Sequence, residues 1–287
     1  MKTQFTHNLL SSFYLWFEHR LVSDDVKAYK KNQSNSFVLT SFKDVPSSHV
    51  AYQGKFRQLV ADQTVDKANS GIFVSGTFIT GANTGIFIDY DNGRVILPAA
   101  SGTGLTITAN NTIKEVNVYL TEDDEEQLLV QGDFIDSAAQ SSTNLFSKTA
   151  KLNEKTYILP ACFINIVNGE SKEISFGGET DTQTRVRVIA MANDNYTLNG
   201  ILSAFEDTQH ETIKHIPYSA YPYGVFNSLK SYPYSYSTLA ANYTANSYIE
   251  KVKTSKVTSP EIVNKFDKNT LIGFIDFDLS TWRYPRL

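Results

Sequence analysis

Two aspartates near the C-terminus, Asp276 and Asp278, have the residue type and spacing for acid–base chemistry. Residues i and i+2 of a β-strand project from the same face, so the two carboxylates would stand side by side. Paired carboxylates hydrolyse glycosidic bonds when a cleft holds them at a suitable separation. Two positions on the outer face of an edge strand are the simpler interpretation. We therefore assign no catalytic residue, expect no enzymatic activity and keep a glycoside hydrolase only as a second alternative.

Three acidic or histidine-containing segments have partial metal-site patterns. Residues 89–93 begin like a calcium loop, but the twelfth position, where a bidentate Glu should close the site, is Ala100, so we expect a hairpin turn. The acidic residues 122–126 are typical of a solvated turn between strands. His210 precedes His215 by five residues, which would separate the two imidazoles by about 140° on a helix. We predict no metal ligand and no cofactor.

The charge and the cysteine content argue against further classes of protein. The 287 residues include 26 basic and 30 acidic side chains, a net charge of −4. A protein that grips nucleic acid normally carries a basic surplus, so we expect no sequence-specific nucleic-acid binding. Cys162 is the one cysteine, and its apolar surroundings in residues 157–167 predict a buried core side chain. Residues 1–20 lack the features of a signal peptide, and no segment is apolar enough to cross a membrane.

The elements that would position these residues begin with a helix. Leu9, Phe13 and Phe17, with their apolar neighbours, follow helical spacing and predict an amphipathic N-terminal helix. Ser23 and the two following aspartates are a cap for a second short helix through Lys31. Residues 1–31 are thus expected to form a helical segment that packs on a larger body.

The body, residues 32–287, has mainly the alternation of β-strands. After a polar break at 32–36, strand patterns occur at the following segments: 37–42, 51–60, 71–79, 85–90, 94–98, 105–108, 113–120, 127–134, 157–167, 173–176, 184–191, 248–258 and 271–279. Asn92-Gly93 is a strong hairpin signal. We therefore predict a mainly β fold with a minority of helix, an antiparallel β-sandwich or partly closed barrel. In an alternative arrangement, the body is divided into two parts near the polar residues 138–150.

The C-terminal half also contains short helical patterns and one unusual loop. Residues 198–216 and 260–266 are predicted to be helical. Residues 218–236 are rich in Tyr and Pro, and the three Pro-Tyr pairs at 217, 222 and 233 favour an extended, ordered loop. Because Tyr buries a large area and keeps a polar tip, this loop is suited to contacts between subunits.

Four stretches together resemble a known family. They are residues 85–97 (GIFIDYDNGRVIL), 116–129 (VNVYLTEDDEEQLL), 176–179 with 185–202 downstream, and the terminal 273–278 (GFIDFD). They are similar to virion structural proteins of large contractile-tailed bacteriophages, particularly marine ones, that form the neck or head–tail connector. None of these stretches is a catalytic signature.

The resemblance implies a non-enzymatic, ring-forming subunit without a cofactor. Its partners would be other copies of itself and neighbouring portal, adaptor, tail or sheath proteins, and it would be located in the virion after assembly in the host cytoplasm. The Phe and Tyr content, 18 and 16 residues, agrees with a protein that forms large contacts. The alternative is a carbohydrate-binding or tail-fibre-like adhesion module, although the content of only 2 Trp weakens it.

Overall fold

A computed structural model describes residues 4–23, 29–40, 45–54, 58–62, 71–79, 85–136, 156–175, 178–257 and 270–284. The fold is mainly β, with two large sheets that curl into a half-barrel and an N-terminal helix, so the predicted fold class is confirmed. Four α-helices lie in the described part: α1 (Phe5–Val22), α2 (Glu125–Gln131), α3 (Asn195–Glu206) and α4 (Tyr236–Ala241). None of the helices in these residues is long and apolar enough to span a membrane.

The first sheet has seven antiparallel strands from the N-terminal half. They are β1 (Lys30–Thr40), β2 (His49–Gln53), β3 (Gly71–Val74), β4 (Thr77–Ile79), β5 (Phe87–Asp89), β6 (Arg94–Pro98) and β7 (Ile107–Lys114), in the spatial order β4-β3-β7-β1-β2-β6-β5. The long β1 pairs first with β7 and then with β2, so one strand joins the two halves of this sheet. The β5–β6 hairpin forms at Asn92-Gly93 as predicted, with Gly93 at a φ of 59°.

The second sheet has six strands. They are β8 (Asn117–Leu120), β11 (Ala161–Glu173), β12 (Thr180–Ala192), β13 (Thr212–Lys214), β14 (Asn246–Lys256) and β15 (Leu271–Arg283), in the order β13-β14-β15-β12-β11-β8. The remaining strands, β9 (Asp133–Asp136) and β10 (Thr156–Leu159), form a separate parallel pair. The β8–β11 contact is parallel as well, whereas the other pairs of the six-stranded sheet are antiparallel.

Helix α1 lies in the main core, between the two sheets. Phe13 contacts Phe277 of β15 at 5.1 Å between ring centroids, and Phe17 stacks on Phe205 of α3 at 4.1 Å. On its other side, Glu18 pairs with Lys114 of β7. Polar positions of α1 are therefore buried too, and Ser12 satisfies its hydroxyl by accepting a 2.9 Å hydrogen bond from the Ile216 amide.

A second, smaller core covers part of the outer face of the six-stranded sheet. Helix α2 and the β9–β10 pair pack there, with Leu128 of α2 and Leu159 of β10 against Phe163 and Met191. Beyond this core the outer face carries charged and polar side chains, among them Arg187 and Asp276, and the exposed Trp282 at its end.

Several predicted boundaries are wrong. Residues 127–134, predicted as a strand, contain most of α2 and the start of β9. The polar residues 32–36 continue β1 instead of breaking it, and Lys30–Lys31 belong to that strand rather than to a second helix. The helix predicted over 198–216 ends at Glu206, after which the chain turns into β13. The predictions for residues 24–28, 138–150 and 260–266 lie outside the described residues.

Candidate functional site

The structure places Asp276 and Asp278 on one face of β15, as their spacing predicts. The strand is not an edge strand, however, because it lies between β14 and β12, and each aspartate is held by an arginine of β12. Arg187 donates from Nε and a terminal nitrogen to the two oxygens of Asp276 at 2.7 and 3.2 Å. Arg185 Nε donates to Asp278 at 2.7 Å, and this hydrogen bond and charge raise the pKa of Arg185. Cross-strand pairs of opposite charge stabilise a sheet. The two carboxylates are therefore partners in an ion-pair ladder rather than an acid and a base that face a cleft.

The two C-terminal histidines are not brought together at one site. His210 Nδ1 contacts the Tyr248 hydroxyl, whereas His215 Nε2 lies 2.7 Å from Ser247 Oγ. Burial, with the nearby charge of Arg283, lowers the pKa of His215. Ser247 is fully buried, so this Ser–His contact has no access to a substrate. In the part of the chain that the structure describes, no three His, Cys, Asp or Glu side chains gather in a way that could hold a metal ion.

The calcium-like segment and the acidic run also have structural roles. Asp89 Oδ1 accepts from the Asn92 amide at 3.0 Å inside the β5–β6 hairpin, and burial raises the pKa of this carboxyl. Asp124 caps α2 by accepting from the Gln127 amide at 2.8 Å, and the Gln127 side chain accepts in return from the Asp124 amide. Reciprocal capping of this kind is a local signal that the sequence carried. Cys162 is fully buried, as predicted, and burial raises the pKa of its thiol.

A buried polar network beside α1 was not anticipated from the sequence. Glu18 pairs with Lys114 of β7, and Lys114 also donates to Gln58 Oε1 at 3.2 Å. Gln58 in turn donates to the Val118 carbonyl at 2.6 Å and accepts from the Val118 amide at 2.8 Å. The Tyr223 hydroxyl donates to the second oxygen of Glu18 at 3.4 Å. The network therefore ties α1 to both sheets and to the Tyr/Pro-rich loop.

Next to this network is a cavity of about 20 Å³, which is room for one water molecule. Its walls include the His19–Asp62 pair, in which Nδ1 and Oδ2 are 2.9 Å apart, and the Asp62 carboxylate also accepts from the Tyr236 amide at 3.2 Å. Burial, followed by the charge of Glu18, raises the pKa of Tyr223 and of Tyr234 well above the ordinary value. Their hydroxyls therefore remain protonated. The space is too small for an organic substrate, and its polar groups hold the core together.

The Tyr/Pro-rich residues 218–236 form an ordered loop, with two single 3₁₀ turns at Tyr218–Ala220 and Val225–Asn227. Tyr223, Tyr234 and Tyr236 are buried against α1 and the polar network, whereas Tyr218 and Tyr232 are exposed. Much of the loop's aromatic surface is therefore used inside the subunit. Its suitability for contacts between subunits is limited to the exposed members.

The largest aromatic exposure on the second sheet is at its far end, which we call the β-arm (residues 167–174, 179–184 and 280–284). Trp282 is 72% exposed there, and Tyr284, Val167 and Ile174 are about half exposed. The other tryptophan, Trp16, is buried in the main core. The inner side of the β-arm is fixed, because the Arg283 guanidinium lies 4.0 Å from the Phe5 ring centroid and donates to Thr182 Oγ1 at 2.8 Å.

Comparison with known proteins adds no family assignment. No known protein-family profile matches the sequence, and no curated protein matches it significantly. The candidate functional features are therefore those of the structure itself: a water-sized polar cavity, a neutralised carboxylate ladder and an exposed aromatic β-arm.

Proposed function

We propose that this chain is a non-enzymatic structural subunit of a tailed-phage particle, a ring-forming component of the neck or head–tail connector. The observation that carries the proposal is the β-arm, an ordered part of the sheet on which Trp282 is 72% exposed and Tyr284, Val167 and Ile174 are each about half exposed. Trp, Tyr and Arg dominate the binding energy of protein interfaces. A tryptophan this exposed on ordered structure is uncommon and indicates a contact surface.

The β-arm is suited to contacts because little order has to be gained when it binds. Its three strands are paired with each other along their length, and Arg283 fixes their inner side on Phe5. Association is stronger when the contacting side chains are already held in place, since less conformational entropy is lost. A ring needs each subunit to present two different surfaces to its neighbours, and an ordered arm with an exposed tryptophan is suited to be one of them.

The sequence resemblance to neck and connector proteins supports the same role and supplies its biological setting. From the resemblance we infer that the partners are other copies of the chain in a ring and adjoining virion proteins. The location inferred in the same way is the virion. The described residues add that polar side chains able to do chemistry are engaged in structural contacts, among them Glu18 with Lys114 in the core and Asp276 with Arg187 on the sheet.

The mass of the full chain in solution, measured by light scattering over a range of concentrations, tests this proposal. We expect a defined oligomer, and we expect Trp282→Ser to shift the population towards monomer at least about tenfold, the loss that a contact of about 1.4 kcal/mol produces. Tyr196→Ser is the matched control, because Tyr196 is 89% exposed on α3 and does not belong to the β-arm. A chain that stays monomeric, together with its absence from purified virus, would contradict the proposal.

A carbohydrate-binding adhesion module is the second candidate, and Trp282 favours it as well. Register places Asp181 directly beside Trp282, and Gln183 follows on the same face of β12. An exposed ring flanked by a carboxylate and an amide is a surface on which a sugar can stack and form hydrogen bonds. Glycan binding that quenches tryptophan fluorescence in the wild type and is lost in Trp282→Ser would select this candidate over the ring subunit.

The hydrolase alternative receives no support from the geometry. Asp276 and Asp278 are each engaged by an arginine nitrogen at 2.7 Å, so neither carboxylate is left to face a substrate.

A further inference from the structure

The six-stranded sheet leaves two backbone edges open at diagonally opposite places. Strand β8 pairs with β11 only as far as Ile164, so residues 165–173 have no strand on their outer side within the described part of the chain. Strand β13 pairs with β14 only over Asn246–Tyr248, and past residue 250 the described strands give β14 no neighbour except β15. Unpaired edges are templates for another strand and are normally protected.

The two open edges carry opposite net charge. Residues 165–173 contain Glu170, Glu173 and Lys172, a net charge of −1. Residues 250–256 contain Lys251, Lys253, Lys256 and Glu250, a net charge of +2. Each edge also begins at an irregularity in pairing, at Ile166/Asn168 and at Ile249/Lys251. Charges and bulges discourage pairing between like edges, whereas unlike edges attract each other.

Strand direction allows these two edges to meet. The pairs β14–β15, β15–β12 and β12–β11 are all antiparallel, so β11 runs opposite to β14. A second copy placed beside β11 in the same orientation would therefore present its β14 antiparallel to β11. This contact is head-to-tail, which is the kind that generates a ring.

The two edges are offset along the strands. Gly169, the middle of the β11 edge, is level with Leu279, whereas Lys253, the middle of the β14 edge, is level with Asp276. Centring one edge on the other needs a slide of three residues, about 10 Å. A stagger between neighbours is what a closed sheet of tilted strands requires.

From these observations we infer that β11 residues 165–173 of one copy pair with β14 residues 250–256 of the next copy, so that the six-stranded sheet continues from subunit to subunit. This inference rests on the proposed function and specifies the interface of the ring. The occupant of each edge is a second copy of this chain, because the same sheet supplies both edges with opposite charge and with compatible direction.

Cross-linking of the full chain tests the inference. Cys162 is the one native cysteine and is fully buried, so added surface thiols react selectively. Asn168→Cys lies on the exposed part of β11, and Ser255→Cys lies on the exposed part of β14. With a short bis-maleimide we expect the double variant to form a ladder of covalent dimers, trimers and larger species. Each single variant should stay monomeric on a denaturing gel.

The matched control replaces one partner: Asn168→Cys with Ser237→Cys, an exposed position on α4, should give no ladder. Dimers from a single variant would mean that like edges pair and would overturn the head-to-tail arrangement. Oligomers seen by light scattering without a ladder from the double variant would overturn the edge pairing while leaving the proposed function intact. A chain that is monomeric by both measurements would contradict the edge pairing and the proposed function alike.

Discussion

The Glu18–Lys114 pair shows how single residues affect the stability of this protein. Both side chains are less than one-tenth exposed, and each makes one further hydrogen bond, Lys114 to Gln58 and Glu18 from Tyr223. A buried ion pair contributes little compared with an apolar pair, yet it is costly to break on one side because the remaining charge stays buried. The Arg185–Asp278 pair, which is much more exposed, carries less weight.

Removing one member of the buried pair should therefore lower the free energy of unfolding more than removing both. We expect Lys114→Met to lower the free energy of unfolding by about 3–5 kcal/mol, because Glu18 loses its counter-charge. The double variant Glu18→Leu with Lys114→Met should lie closer to the wild type than the single variant. Urea denaturation measures both. A double variant less stable than the single one would contradict this account of the network.

Asp91 gives the protein a pH-dependent stability. Burial raises the pKa of this carboxyl to about 7, and the charges of Glu18 and Asp89 add to the effect, whereas Lys114 and the hydrogen bond from Tyr14 oppose it. The unfolded chain has the ordinary lower pKa, so between that value and pH 7 the folded state binds more protons than the unfolded state. Stability contributed by this group is therefore present at low pH and is lost as the pH rises through 7.

Asp91→Asn should remove this loss, because the amide stays neutral and its oxygen can still accept from the Tyr14 hydroxyl. We expect the variant to gain stability relative to the wild type at pH 8 by about 2–3 kcal/mol more than at pH 5, since the wild type loses about 1.4 kcal/mol per pH unit between pH 5 and the folded pKa of about 7. Denaturation at the two pH values measures the difference. Glu122→Gln, at an exposed position, is the control, and an equal pH effect in both variants would refute the assignment.

At the scale of elements, the predictions succeeded where a pattern is local and failed where partners decide. The spacing of Phe13 and Phe17 and the Asn92-Gly93 turn are complete within a few residues, and α1 and the β5–β6 hairpin follow from them. Residues 32–36 are polar, and pairing with β7 alone makes them part of β1. The apolar run in α2 is too short for its periodicity to distinguish a helix from a strand. The Asp124–Gln127 cap is the local signal that indicates a helix there.

The candidate site was predictable to a similar extent. The spacing of Asp276 and Asp278 correctly places both on one face of β15, but their arginine partners lie about ninety positions away in sequence. The same distance in sequence hides the Glu18–Lys114 pair, whose members come from a helix and a strand. Long-range pairs of this kind follow from sheet order and register, which a pattern of hydrophobicity does not encode.

The central position of α1 predicts a strong dependence on its aromatic side chains. Phe17 is fully buried and stacks on Phe205, so Phe17→Ala should lower the free energy of unfolding by about 3–5 kcal/mol. Phe78→Ala on β4 is the matched control, because Phe78 is substantially exposed and its loss should cost less than about 1 kcal/mol. Urea denaturation compares the two. Similar losses for both would mean that α1 is not the centre of the core.

At the scale of the whole molecule, the apolar and the charged parts of the proposed interface respond differently to salt. The β-arm offers Trp282 as an apolar anchor, whose contribution to association depends little on salt. The edges of β11 and β14 offer opposite net charge, whose attraction salt weakens. The dependence of assembly on ionic strength therefore reports on the edges, and Trp282→Ser reports on the β-arm.

Reversing the charge of the β11 edge should reverse that dependence. Glu170→Lys with Glu173→Lys changes residues 165–173 from −1 to +3, and the register partners Gln183 and Thr180 carry no charge that would destabilise the subunit. In the wild type we expect the oligomer to weaken between 0.05 M and 1 M NaCl, because the Debye length falls to about 3 Å. In the variant, repulsion from the +2 edge of β14 should suppress assembly at low salt, and 1 M NaCl should partly restore it. Light scattering at both salt concentrations measures the mass of the oligomer, with Glu170→Gln and Glu173→Gln together as the neutral control.

If the wild type and the variant respond to salt in the same direction, the two edges do not face each other in the oligomer.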